Sequence, residues 1–278
     1  MLLYGVSYGV VLFTISVGLT VTLGLMRVMN LAHGALAAAG GYTALALAGT
    51  ALPYPLAIAA ATIAVAASGV VLERLVIARL YGASELDQAL LTIGLMFVCV
   101  AALNWLFGPA VMPARLPDFL ARSVIVGDLT IQLYRLAMIA LGAVLLAGLW
   151  AVFAHTGFGA RLRAAVDNPS MAGVVGIRVP ALFTAAFCLG SGLAAFGGAV
   201  GAPMLPMEPT YPFRYLTLVL VVVSLAGSGE IIGCAIAAIA VGILDTAARS
   251  YLPVAGGFTI YLLLLAALPW QQHRKGFA

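Results

Sequence analysis

The sequence predicts an all-α integral membrane protein, a polytopic helical bundle of eight or nine transmembrane segments with broken helices. Composition and the spacing of the charges carry this reading. Of 278 residues, 64% are hydrophobic, and the chain holds 13 Lys and Arg with 9 Asp and Glu, where a soluble chain of this length carries about 70 such residues. A soluble globule needs a charged skin that this chain lacks, and disorder needs low hydrophobicity with high charge. The formal charge of +4 is spread thinly, without the basic patch that nucleic acid requires, so the expected partner is the lipid bilayer and no nucleic acid. Cys99, Cys188 and Cys234 each sit inside an apolar run, which implies neither a disulfide framework nor a metal site.

A helix crossing the hydrocarbon core takes about 20 apolar residues. No Asp, Glu, Lys or Arg occurs in residues 1–26, 28–72, 88–114, 136–160, 179–207 or 250–273. The second window is long enough for two spans, with Pro53-Tyr54-Pro55 as the turn between them. The stretch from Tyr215 to Ala248, interrupted by Glu230 and Asp245, reads as two short segments. Spans are therefore expected near 4–26, 30–50, 56–78, 89–107, 133–154, 181–202, 214–227, 230–248 and 257–270. A closed barrel would show alternating strands of about ten residues instead of unbroken apolar runs. The first run lacks the basic start of a signal peptide, so it reads as a retained helix. The whole chain, 1–278, is expected to form one transmembrane domain.

Orientation follows the Lys/Arg excess of short cytoplasmic loops. With a cytoplasmic C-terminus, the inside holds Arg27, Arg74, Arg79, Arg161, Arg163, Arg178, Arg274 and Lys275; the outside holds Arg115, Arg122, Arg135, Arg214 and Arg249. Nine segments then place the N-terminus outside. Gly5/Gly9, Gly197/Gly201 and Gly229/Gly233 have the GxxxG spacing that lets helix backbones approach in lipid, and read as ordinary helix contacts.

The apolar pattern breaks in three places. At Arg27-Val28-Met29-Asn30-Leu31-Ala32-His33-Gly34 two polar residues separate apolar runs. Asn30 has the chemistry to cap the helix that follows, and His33 to bond a neighbouring helix; alternatively the segment is a broken helix lining a solute path. At Gly227-Ser228-Gly229-Glu230 an acid opens the next segment, either favoured by the helix dipole or part of a second break. Interrupted segments in corresponding halves point to a transporter site, an arrangement compatible with inverted halves. The third place is the loop 156–180. There Asn168 and Pro169 read as cap and first helical residue and Val175-Gly176 as the stop, with Gly176 in the left-handed conformation. The enclosed helix, of about seven residues, is marginal alone and must lie on the membrane or dock onto something else. It bears Met171, Ala172, Val174 and Val175, and Arg163 and Arg178 flank it, which reads as a peg for a partner protein or an amphipathic connector on lipid. Asp245 with Arg249, four residues apart, and Glu73 with Arg74 read as local charge pairs.

No P-loop motif is present, so the chain is not expected to bind ATP itself. It likewise has no HExxH or GxSxG motif and no ladder of arginines. An ion-coupled carrier would bury several acids in mid-span, and the only candidates, Glu230 and Asp245, stand near segment ends. A stand-alone carrier or channel is the alternative function, and it leaves the capped loop helix unexplained.

Three stretches carry a family resemblance. The opening through Gly24-Leu-Met-Arg-Val-Met-Asn30-Leu-Ala32-His33-Gly34 resembles the permease subunits of branched-chain amino-acid ABC importers. The loop from Arg163 through Asp167, Asn168, Pro169, Met171, Ala172 and Gly176 to Ile177 is similar to the one such permeases insert into their ATPase. Gly227-Ser228 resembles the family's C-terminal glycine motif, although Ser224-Leu225 stands where a double glycine is usual. The resemblance implies an importer of branched-chain or hydrophobic amino acids, or of related small polar solutes such as amides or urea. It implies a multi-pass subunit of the bacterial inner membrane with no cofactor and no enzymatic site of its own, ATP and Mg being bound by partners. Those partners are two cytoplasmic ABC ATPase subunits, a second permease subunit, identical or homologous, and a periplasmic or extracellular substrate-binding protein. Residues Arg163, Asp167 to Pro169, Met171, Ala172, Gly176 and Ile177 are then ATPase-coupling residues. Asn30, His33, Gly34, Gly227, Ser228, Gly229 and Glu230 are expected to line the substrate pathway.

Overall fold

The computed structural model describes residues 1–251 apart from 27, 115, 127–128 and 228–229, together with 258, 261, 262 and 265. Its elements run in the order α1 (Leu2–Leu19), α2 (His33–Ala48), α3 (Tyr54–Leu75), α4 (Glu85–Phe107), α5 (Asp118–Ala121), β1 (Ser123–Val126), β2 (Leu129–Gln132), α6 (Leu133–His155), α7 (Gly157–Asp167), α8 (Pro169–Val174), α9 (Val179–Gly201), α10 (Tyr211–Ala226) and α11 (Ile231–Tyr251). The protein is a predominantly helical, multi-pass membrane protein, and among the described residues two strands form a short antiparallel pair, Ser123 opposite Gln132, before α6. Among the described residues six helices are long and apolar enough to cross a membrane: α1 with its continuation, α3, α4, α6, α9 and α11. Helices α2 and α10 fall on expected spans but have 16 residues each. The expected span 257–270 lies almost wholly outside the described residues, as do Arg27, Arg115, Ser228, Gly229, Arg274 and Lys275.

The long helices are apolar on every side, as helices are that sit either inside a bundle or in lipid. Their ends are set by local chemistry. Pro53 and Pro55 start α3, the Ser84 hydroxyl accepts the Asp87 N–H at the head of α4, and Gly108 and Gly227, at φ +81° and +84°, stop α4 and α10.

Helix α1 is the axis of the bundle: 83% of its apolar window is buried, against 17% in α4. It packs against α6, α9, α10 and α11, and small residues bring its backbone close to two of them. A Cβ on Gly9 would stand 2.6 Å from the Ile239 Cα of α11, and Gly242 faces Gly9 in return. A Cβ on Gly197 would stand 2.7 Å from the Ile15 nitrogen, and Gly18 meets the Gly190 carbonyl. In turn α9 meets α2, where Gly198 touches the Ala37 carbonyl and Gly40 touches Ala195. Two of the expected GxxxG pairs thus lie in helix seams, whereas Gly233 faces Ala226 and Glu230 of its own turn. Outside this core, α3, α4 and α6 present large apolar residues outward, among them Ile63, Phe97, Trp105 and Val144.

Candidate functional site

The first break is built from the end of α1. After Leu19 the chain widens into a π-helical turn, Thr20–Leu25, where Thr20 and Thr22 hydroxyls donate back to the Ser16 and Gly18 carbonyls. Such back-bonding loosens and bends helices. The backbone freed between Met26 and His33 is then taken up by α4: Gln88 Oε1 accepts the Met29 N–H at 2.9 Å and Thr92 Oγ1 accepts the Leu31 N–H at 3.2 Å. Gln88 Nε2 donates to the Leu80 carbonyl, tying the break to the α3–α4 connection. Sequence reasoning passed over Gln88 and Thr92. Their signal is two polar residues one helical turn apart at the head of an apolar span.

Asn30 does not cap α2. The cap position is Ala32, with no side-chain bond, because the helix begins too late for Asn30 to reach its free N–H groups. The Asn30 side chain is 1% exposed, and neither its Oδ1 nor its Nδ2 has a partner among the described residues. His33 is fully buried, and its Nε2 donates to the Ile15 carbonyl at 2.8 Å. A carbonyl only accepts, so the proton sits on Nε2; Nδ1 has no partner among the described residues. The ring thereby fastens the head of α2 to α1 beside Gly18, while Gly34 packs on Pro212 of α10.

The second break separates α10 from α11. Gly227 ends α10 in the left-handed region, and Glu230, exposed, accepts the Cys234 N–H through its carbonyl at 2.9 Å. Among the described residues no hydrogen bond joins the two breaks directly.

The loop between α6 and α9 holds two helices. In α7, Arg163 donates to the Phe153 carbonyl at 3.0 Å, folding the loop back on the end of α6. Helix α8 follows after one residue. Asn168 Oδ1 accepts the Met171 N–H at 3.0 Å and Pro169 takes the first helical position. At the other end Gly176 adopts φ +85°, its N–H bonding Gly173 and the Ile177 N–H bonding Ala172, the pair of bonds of a Schellman stop. Six residues are thus capped at both ends. Ala172 points inward, 3% exposed, whereas Met171, Val174 and Val175 are 63%, 82% and 74% exposed. Asp167 and Asn168 are exposed, and Ile177 is half-buried.

Behind α8 lies a cavity of about 790 Å³, bounded by Glu73, Tyr81, Val166, Pro169, Phe183 and Thr184. Glu73 is buried and does not pair with Arg74. Its Oε1 accepts the Tyr81 hydroxyl at 2.5 Å and its Oε2 the Thr184 hydroxyl at 2.7 Å. Burial, then the neighbouring carboxylate, raise the Tyr81 phenol above its ordinary pKa, so it stays a donor.

At the opposite end, where α1 and α6 begin and α11 ends, a cavity of about 670 Å³ is bounded by Tyr8, Arg135, Arg214, Tyr215, Asp245 and Arg249. Arg249 Nε lies 3.0 Å from both oxygens of buried Asp245, the expected pair, and Arg214 pairs with Glu208 at 3.0 Å. Arg135 donates to Ser7 and stacks over Tyr4. Charges of both signs meet here in a largely apolar protein. Among the described residues no cluster of His, Cys, Asp and Glu is arranged to hold a metal ion.

A family model described as the permease component of a branched-chain amino acid transport system matches residues 1–268. No curated protein and no solved structure matches the chain.

Proposed function

The chain belongs to the family of permease components of branched-chain amino acid transport systems, and from that premise we propose that it is the transmembrane subunit of an ATP-driven importer in the bacterial inner membrane. In this reading the subunit carries no ATPase site. Two cytoplasmic ABC ATPases bind ATP and Mg, a second permease completes the pathway, and an external binding protein delivers the solute. The cargo is a branched-chain or hydrophobic amino acid, or a related amide or urea. The chain crosses the membrane eight or nine times, with α2 and α10 as the two short spans beside the breaks.

The observation that carries the proposal is α8. A six-residue helix has no stability of its own, yet this one is capped at both ends and turns Met171, Val174 and Val175 outward at the end of the bundle. Apolar side chains on a rigid, capped peg suit insertion into a groove of a partner protein, where burying each contributes about 1.5–3 kcal/mol. Asn168 and Gly176 hold the peg's shape, Arg163 and Asp167 its approach, and Ile177 its exit into α9. The unspent hydrogen-bonding groups of Asn30 and the Nδ1 of His33 support a place beside the solute pathway for the first break, with Gly34 as the close contact to α10. Gly227, Ser228, Gly229 and Glu230 are assigned to the pathway with it.

The test is uptake of radiolabelled leucine, acetamide and urea by vesicles holding the chain, both ATPases, the second permease and the binding protein. Val174→Glu places a charge on an exposed position that the fold tolerates but a docking groove does not. The expected result is ATP-dependent uptake by the native complex and its loss in the variant, with insertion unchanged. Uptake by this chain alone, indifferent to ATP and to the substitution, would sink the importer reading in favour of a stand-alone carrier.

A further inference from the structure

We infer that Glu73 is the tie that passes movement of the docking helix to the membrane-spanning helices, a positioning residue for coupling ATP hydrolysis to transport; this rests on the importer reading. The carboxylate stands in the last turn of α3, fully buried, at the end of the bundle that carries α8. A buried charge is normally matched by a cation. Among the described residues Glu73 has none within ion-pair distance, and its two oxygens are instead divided between two hydroxyls from two other elements. One is Tyr81 of the α3–α4 connection; the other is Thr184, in the second turn of α9. Three segments are thus held by one group through charge-assisted bonds, which are short and about twice as strong as neutral ones.

The surroundings explain why such a tie matters. Deeper in the bundle α3 and α9 pack directly, Gly69 against Ser191 and Gly192 against Ala66, and a close-packed interior transmits a push through any of its contacts; toward α8 that packing is interrupted by the cavity of about 790 Å³. Val166 and Pro169 form its loop side, and Glu73, Tyr81 and Thr184 its membrane side. Across this hollow the carboxylate is the polar link from the head of α9 to α3. The head of α9 begins only a few residues beyond α8, and the Ile177 N–H is bonded to Ala172 within it. A displacement of α8 therefore moves Thr184, and through Glu73 it moves α3 and the connection to α4.

The tie also has two positions. A hydroxyl carries one proton, and that of Thr184 has two acceptors in reach, Glu73 Oε2 at 2.7 Å and its own Pro180 carbonyl at 3.0 Å. If the head of α9 withdraws, Thr184 keeps a partner by turning back to Pro180, while Glu73 gives up one of two bonds and faces the cavity. Thr184 keeps a partner in both arrangements and Glu73 keeps both of its bonds in only one, so movement at either end shifts the balance, as coupling between distant sites requires.

The experiment compares the reconstituted native complex with Glu73→Gln, Thr184→Val and Thr184→Ser, using the same three radiolabelled solutes and measuring solute moved per ATP hydrolysed. Glu73→Gln keeps the volume and removes the charge; Thr184→Val keeps the shape and removes the hydroxyl; Thr184→Ser keeps the hydroxyl. The expected result is that hydrolysis persists while the transport ratio falls roughly tenfold in Glu73→Gln and Thr184→Val, with Thr184→Ser close to native. If Glu73→Gln fails to assemble, the Val and Ser pair decides the matter by the same ratio. Native ratios in the variants, or uptake and hydrolysis falling in parallel as a structural defect would make them, overturn this inference alone. Native uptake that needs no ATP overturns the importer reading and the inference with it.

Discussion

Gln88 and Thr92 show how irregular backbone between two apolar helices is supported. Lipid offers no partner for a freed N–H group, so irregular backbone persists only where protein supplies one. Here the donors of Met29 and Leu31 are accepted by two side chains one turn apart on α4. We predict that Gln88→Leu, which leaves the Met29 N–H without its partner, destabilises the protein by about 1–3 kcal/mol, read as a lower thermal midpoint in detergent. Thr92→Val, nearly isosteric, should shift it in the same direction; an unchanged midpoint in both would mean the break is held by something else. The polar residues of the break were legible in the sequence because Asn30 and His33 stand between apolar runs. Their partners were not: Asn30 reads as a cap until the helix is seen to begin beyond its reach, and His33 finds its acceptor 18 residues back, on Ile15. Glu73 misled for a similar reason, since the adjacent Arg74 is its neighbour in sequence while its donors come from the next connection and from α9.

Among the elements, glycine decides which helices touch. The seams of α1 with α9 and α11, and of α9 with α2, are lined by residues without a Cβ or with a small one, and the backbones meet directly. A contrast of two substitutions tests this. At Gly198 a Cβ would run into the Ala37 carbonyl, whereas at Gly94, on the outer face of α4, nothing lies within 4 Å. Gly198→Ala should destabilise the bundle by about 1–3 kcal/mol through overpacking. Gly94→Ala should leave it equal or up to about 1 kcal/mol more stable, through helix propensity alone. Equal shifts in the thermal midpoint would remove the seam from the account. The GxxxG spacing made Gly5/Gly9 and Gly197/Gly201 legible, but Gly190, Gly198 and Gly242 stand in Ala/Gly-rich helices, and Gly18 lies alone among large apolar residues of α1, with no spacing to mark it. Helix α8 was the most legible element of all. Its cap, its first proline and its glycine stop act within a few residues of one another, so no tertiary partner was needed to specify them. What sequence did not disclose is which side turns in: Ala172, which reads as a docking residue, is buried, and the outward face belongs to Met171, Val174 and Val175.

The molecule as a whole is polar at its two ends and apolar between them. One end holds α8 and the Glu73 cavity; the other holds the cavity of Arg135, Arg214, Asp245 and Arg249. Helices α3, α4 and α6 close the sides with exposed apolar residues suited to lipid or to a second permease. Charge spacing was enough to find most of the spans, because a long run without Asp, Glu, Lys or Arg has few other uses. The cavity of Arg135, Arg214, Asp245 and Arg249 escaped it, since its charges come from α6, α10 and α11 and meet only on folding. The central claim is that α8 lies in the cytoplasm and is covered by an ATPase. The direct test labels Val175→Cys, 74% exposed in the native chain, with a membrane-impermeant maleimide in vesicles of each orientation. The unmodified chain, whose Cys99, Cys188 and Cys234 are at least partly buried, serves as the reference. The account predicts labelling in inside-out vesicles only, blocked when both ATPase subunits are bound and restored when they are stripped away. Labelling from the outer face, or labelling that the ATPases leave untouched, would contradict it.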